Sequence, residues 1–192
     1  MNNTVELAAE WRTVHGKQAK RLRKKGLIPA VLYGHGPSVS LQVNAEAVKD
    51  ILRRRGRTTL LNLKMLGGET ATAVIKQLQF DPVRGDLIHL DFMRVLQREK
   101  LKQKVPLRFV GEAPVAETHD VTIIKPLDAV TVETYPQDIP SAVEVDLARL
   151  TEPNSTVRVS DLEPGPRVRI LDQPEEVVAS VSISKREEIQ EL

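Results

Sequence analysis

Cysteine is absent from this 192-residue chain, which removes disulfides and thiolate metal sites and suits a reducing compartment. Aromatic residues make up only 3%, so any core must be assembled from Val, Leu, Ile and Ala. No apolar run approaches the length of a membrane span, and MNNTVELAAEW at the start has neither a basic leader nor a hydrophobic signal core. A soluble, cytoplasmic protein without membrane contact is the expectation. Catalytic signatures are missing as well: there is no HExxH, no GxSxG, no phosphate-cradling loop and no DxDxDG. The glycine-flanked GHG at 34–36 is too short for a nucleotide loop, so an enzyme is not expected, nor a cofactor. Acid, finally, is missing from one stretch. HGKQAKRLRKKGLIPAVLYG, residues 15–34, holds six basic residues between Lys17 and Lys25 and no Asp or Glu.

What is present is an uneven distribution of charge. The net charge of +2 conceals 18 Lys and Arg against 9 Asp and Glu in residues 1–100, and 10 against 17 in residues 101–192. Such asymmetry implies different partners for the two halves, with nucleic acid the leading candidate for the basic one. At 41% hydrophobic and 28% charged, the composition is that of folded protein rather than of a disordered tail.

In the basic half, TVELAAEW reads as a strand and KQAKRLRKK as a helix that Gly26 stops. PAVLYG and VSLQV are short strands. NAEAVKDILRRRG is a second helix, capped by Asn44, apolar along Val48, Ile51 and Leu52, and closed by Gly56. TTLLNLKML and TATAVIKQLQF flank the hairpin signal Gly67-Gly68, and LIHLDFMRV follows the turn DPVRGD. The spacing predicts a small, largely antiparallel sheet or barrel with two or three helices over 1–95. The polar stretch 96–101 reads as a linker, and 102–192 as an acidic β-rich domain. There, Val105, Leu107 and Phe109 share one strand face, as do Val143, Val145 and Leu147. The fold class is therefore mainly β with α. SKREEIQEL at the C-terminus reads as a frayed helix.

A charged helix is commonly no more than a solvated face. Such faces mix signs and gain from i,i+4 ion pairs, whereas Lys17–Lys25 repel one another along the whole stretch unless an external anion relieves them. A second cluster, RRRGR at 53–57, also suits a helix C-terminus through the macrodipole. Holding RNA needs cations for phosphates and, for specificity, groups that read base edges or 2′-hydroxyls. His89 and Asp91 share one strand face opposite Ile88, Leu90 and Phe92, and fit that second role or plain surface. Gln79 ends the preceding strand with an amide that both donates and accepts. Lys76, three residues earlier, would face away from Gln79 in an ideal strand. Tyr33, beside Gly34, suits either stacking on a base or a place at the core's edge.

Taken in order, Arg12, Gly16-Lys17, Arg21-Leu22-Arg23, Gly26, Pro29-Ala30-Val31, Tyr33-Gly34, Gln79, Asp81-Pro82, His89 and Asp91-Phe92 closely resemble one family. It is that of the bacterial large-subunit ribosomal proteins numbered twenty-five, in the longer form called the CTC type. VPLRFVGEAP, TVETYPQDIPSAVEVDL and VSDLEPG resemble that form's added C-terminal β-rich domain. The resemblance implies an N-terminal β-barrel with helices, akin to the anticodon-binding domain of glutaminyl-tRNA synthetase. It implies binding to 5S ribosomal RNA in the central protuberance of the large subunit through the N-terminal domain; the acidic C-terminal half would be repelled by RNA, which points it away from the RNA or to neighbouring ribosomal proteins. Family RNA contacts carry over to Arg12, Lys17, Arg21, Arg23, Tyr33, Lys76, Gln79, His89 and Asp91. A non-ribosomal tRNA- or RNA-binding adaptor built on the same barrel is the alternative.

Overall fold

The computed structural model describes residues 4–14, 16–115 and 121–183; His15, His119 and the C-terminal stretch expected as a frayed helix lie outside them. The chain divides into two compact units, one of residues 1–104 with 133–141, the other of 105–132 with 142–192. In the first, β1 (Thr4–Trp11), β2 (Leu27–Gly34), β3 (Val39–Asn44), β4 (Leu60–Met65), β5 (Thr70–Phe80) and β6 (Leu87–Arg94) close a barrel. Their spatial order is β1-β3-β2-β6-β5-β4. The pairings are antiparallel except for β1 with β4 and β2 with β6, which are parallel.

Strand alternation accounts for the barrel's filling. Leu7 and Ala9, Ile28, Ala30 and Leu32, Leu41 and Val43, Leu61 and Leu63, Ala73 and Ile75, Leu90 and Phe92 all point inward and are buried. The helices are α1 (Ala19–Lys24) and α2 (Ala45–Arg55). α2 begins where Asn44 Oδ1 accepts from the amides of Glu46 (2.8 Å) and Ala47 (3.2 Å). Its Val48 and Ile51 pack into the barrel core, with Leu52 partly buried against it. The helix expected over Lys17–Lys25 is shorter: Gly16–Gln18 form a 3-10 turn, and α1 follows.

A second apolar cluster lies on the outside of the barrel. Leu60, Val74 and Met93 stand opposite one another across β4, β5 and β6, and Val95, Leu101 and Ile139 cover them. This corrects the reading of 96–101 as a linker. The segment is a turn, closed by the Glu99 amide on the Leu96 carbonyl, whose two flanks bury Val95 and Leu101 in one cluster. From Leu101 the chain is already strand, its side chains alternately buried and exposed through Val105.

Beyond the barrel, β7 (Leu101–Val110) lies between β9 (Ala129–Thr134) and β10 (Val143–Asp146), with β12 (Arg169–Ile170) at the far edge of β9. β8 (Val121–Ile124), β11 (Thr156–Arg158) and β13 (Val177–Ile183) form a three-stranded sheet with β13 central. β10 runs parallel to β7, Val143 beside Leu107 and Val145 beside Phe109. Val143, Val145 and Leu147 are buried while Glu144 and Asp146 are exposed, as their alternation requires. The chain is thus mainly β with few helices, as expected.

Candidate nucleic-acid interface

α1 is held at its C-terminal end. The Lys25 and Gly26 amides donate to Leu22 and Arg23 carbonyls (2.9 and 3.0 Å), and the Gly26 carbonyl accepts from Ala45 at the start of α2 (2.8 Å). No α1 residue is buried; Ala19 and Leu22 are only partly covered. The helix gains a firm position from Arg23, whose Nε donates to the Ile88 carbonyl of β6 at 3.0 Å. Arg21 projects into solvent. Lys17 lies in the preceding 3-10 turn. Arg12 follows the end of β1, joined to β3 by its amide on the Ser40 carbonyl. Its guanidinium donates to the Val14 carbonyl (2.8 Å), while Nε is enclosed without a partner. Arg12 therefore belongs to the β1–β3 side of the barrel.

The polar candidates fall on three adjacent strands. On β6, His89 Nδ1 lies 2.9 Å from Asp91 Oδ1, each side chain about three-quarters buried. Nδ1 is shut from solvent, and the close approach misses the alignment of a hydrogen bond. Across the ladder Gln79 of β5 stands opposite His89, and Gln77 opposite Asp91. On the other side β2 sets Val31 beside Asp91 and Tyr33 beside Met93. Partial burial, then the negative charge of Asp91, raises the Tyr33 hydroxyl above its ordinary value, so it stays a donor. Tyr33, His89, Asp91, Gln77 and Gln79 share the outer face of β2–β6–β5.

A β-bulge makes this possible. The register slips between Ile75 and Gln77, so Lys76 is an extra residue and both Lys76 and Gln77 emerge on the exposed side. In an unbroken strand Lys76 and Gln79 would face opposite ways; the inserted residue overturns that expectation. Lys76 is turned toward β7, its ammonium donating to the Lys102 carbonyl. Burial, then the charge of Lys104, lowers its pKa. Beside it, the buried Gln103 amide donates to the Ile75 carbonyl (2.8 Å). Gln77 was not among the sequence candidates, although it stands two residues from Gln79 and so on the same face.

The GHG turn has a steric explanation. A Cβ on Gly34 would lie 3.0 Å from the Arg94 carbonyl oxygen, and one on Gly36 would lie 2.6 Å from the Arg94 guanidinium. Arg94 donates in turn to the His35 and Pro37 carbonyls (3.1 and 3.3 Å). The glycines let that guanidinium run beneath the loop following Tyr33. At the opposite end of the strands, Asp81 orders the β5–β6 turn by accepting from the Val83 and Arg84 amides, both at 3.0 Å. Those backbone bonds, Arg84's first, hold its carboxyl below the usual carboxylate range. Between this turn, α1 and α2 runs a groove of about 700 Å³ whose charged border mixes Lys20, Arg23, Lys24, Lys49 and Arg84 with Glu46, Asp81 and Asp86.

Chemically, the face offers a histidine, a carboxylate, two amides and a phenol, a mixed set of donors and acceptors. Such a set suits ribose hydroxyls and base edges, and the convex outer face of a barrel can enter the wide, shallow minor groove of A-form RNA. Among the described residues no three His, Asp or Glu stand close enough to share a metal ion, and no helix is long and apolar enough to cross a membrane.

Comparison with known proteins divides the chain where its charge divides. The family model of the ribosomal L25p family matches residues 7–92, and that of the ribosomal protein TL5 C-terminal domain matches residues 100–185. The large ribosomal subunit protein bL25 of Roseiflexus castenholzii is 34% identical over 189 residues, 98% of this chain and 87% of that one. Its counterpart in Thermoanaerobacter pseudethanolicus is 37% identical over 187 residues, 96% and 92% of the two chains.

Proposed function

We propose that this chain, which belongs to the ribosomal L25p family in its form with a TL5-type C-terminal domain, holds 5S ribosomal RNA against the outer face of β2, β6 and β5. Family membership makes it a structural, non-enzymatic component of the large ribosomal subunit, and so of the cytoplasm. The finer reading concerns which RNA, through which residues. His89, Asp91, Gln77, Gln79 and Tyr33 read base edges and ribose hydroxyls; Arg21, Arg23 and Lys17 neutralise phosphates beside them, with Arg12 and Lys76 at the margins. One observation carries this reading. A helix without acid is pinned by Arg23 to the strand that bears His89 and Asp91, so cations and reading groups form one surface.

The basic domain of residues 1–95 provides this surface. The second unit, drawn from the acidic half of the chain, is repelled by RNA and meets neighbouring ribosomal proteins in the central protuberance. A gel-shift titration of the full chain with 5S ribosomal RNA, against a scrambled RNA of equal length, tests the assignment. Tight binding with a marked 5S preference, weakening by a few powers of ten between about 50 and 200 mM salt, is expected for ~4–6 phosphate contacts. Equal affinity for both RNAs would refute it.

A further inference from the structure

The polar face has two ends along the sheet, and the function proposed above uses the cations at one of them. At the other, α2 finishes in Arg53, Arg54 and Arg55, and Arg57 follows. The Arg57 guanidinium sits 6.0 Å from the centre of the Phe80 ring, and Phe80, 43% exposed, directly follows Gln79. Arg53 and Arg54 both bind the same oxygen of Asp50, at 3.0 and 2.8 Å. One carboxylate cannot neutralise two guanidinium groups. A helix dipole is satisfied by cations in its last turn, but Arg57 lies outside the helix and is drawn to the strand that carries Gln77 and Gln79. In the closed six-stranded barrel β2, which follows α1, and β4, which follows α2, lie three strands apart, and Arg57 reaches the end of β5 between them.

We propose that Arg53, Arg54 and Arg57 form a second phosphate-contacting patch at the end of β5, where they add backbone contacts to RNA lying on β2–β6–β5 beyond those made by α1. Arg57 is held beside β5 by Phe80. The proposal rests on the RNA reading above and extends its phosphate contacts. A surface of cations with a single shared carboxylate is complementary to a polyanion and reads no sequence.

Salt titrations of binding to 5S ribosomal RNA test it, on variants whose thermal melts match the parent. The triple variant Arg53→Ala, Arg54→Ala, Arg57→Ala should flatten the slope of log K against log salt by about two units, leaving the preference over scrambled RNA intact. Asp50→Asn removes the patch's neutralising charge and should tighten binding about three- to tenfold at low salt. Arg57→Lys should keep the slope. Unchanged slope and affinity in the triple variant and in Asp50→Asn, while Arg21→Ala still flattens the slope, would overturn the proposal. So would loss of co-sedimentation with large subunits by the triple variant at unchanged 5S affinity, which would assign the arginines to an acidic protein. A parent chain with no 5S preference would instead fail the underlying function.

Discussion

His89 and Asp91 sit 2.9 Å apart on one strand face, with a histidine nitrogen enclosed and unpartnered. An enclosed polar atom without a hydrogen bond costs stability, a cost the fold carries on the face proposed to meet RNA. His89→Ala and Asp91→Ala should each weaken 5S ribosomal RNA binding by ~1–3 kcal/mol without altering its salt slope, whereas Arg21→Ala should flatten the slope by about one unit. Gel shifts at several salt concentrations separate the two behaviours. Gln77→Ala should act like His89→Ala, since Gln77 stands opposite Asp91. His89, Asp91 and Gln79 were legible because apolar residues alternate with them. Gln77 alternates with Leu78 in the same way but was not among the candidates; the inserted residue leaves its own trace, since inward positions run Ala73, Ile75, then Leu78, a step of three. At the β5–β6 turn, Asp81 has a folded pKa below its ordinary 3.8. Its charge therefore stabilises the fold above about pH 4 and ceases to as pH falls through the lowered value. Urea denaturation should show a cost for Asp81→Ala at pH 7 that shrinks by pH 3.

At the scale of elements, the barrel's inner face could be read from period-two alternation, and its outer apolar cluster could not. Leu60-Leu61, Val74-Ile75 and Phe92-Met93 each place two apolar residues in succession, a sign that both faces of the sheet are covered there. Which segments supply the cover is a matter of tertiary pairing: Leu101 lies in a stretch dominated by charge, and Ile139 lies among prolines. Leu101 is buried against Val74 and Val95, so Leu101→Ala should cost about 2–4 kcal/mol by loss of contacts and the cavity left behind. Equilibrium denaturation of the whole chain measures it. A stability change under ~0.5 kcal/mol would mean that the stretch behaves as the solvated connection its charges suggest.

For the whole molecule, the division into a basic and an acidic half was visible in residue counts, but the compact units do not respect a single cut. The first one recruits 133–141 from far downstream, and Ile139 covers Val74 and Met93 there. A fragment ending at residue 95 lacks Leu101 and Ile139 and bares their partners. By apolar area alone it should lose about 3–6 kcal/mol relative to the full chain, visible as a lower melting temperature, with RNA selectivity retained wherever it stays folded. The closure of the barrel carries a further consequence. β1 is paired along its length with β4, Thr4 beside Leu60 and Ala9 beside Met65, and β2 lies against β6. During synthesis the first strand waits for the fourth, and the second for the sixth, before either has its parallel neighbour. The nascent polypeptide thus emerges with its most cationic segment exposed and its scaffold unfinished, so the order of translation itself favours indiscriminate adhesion to nucleic acid before discrimination becomes available.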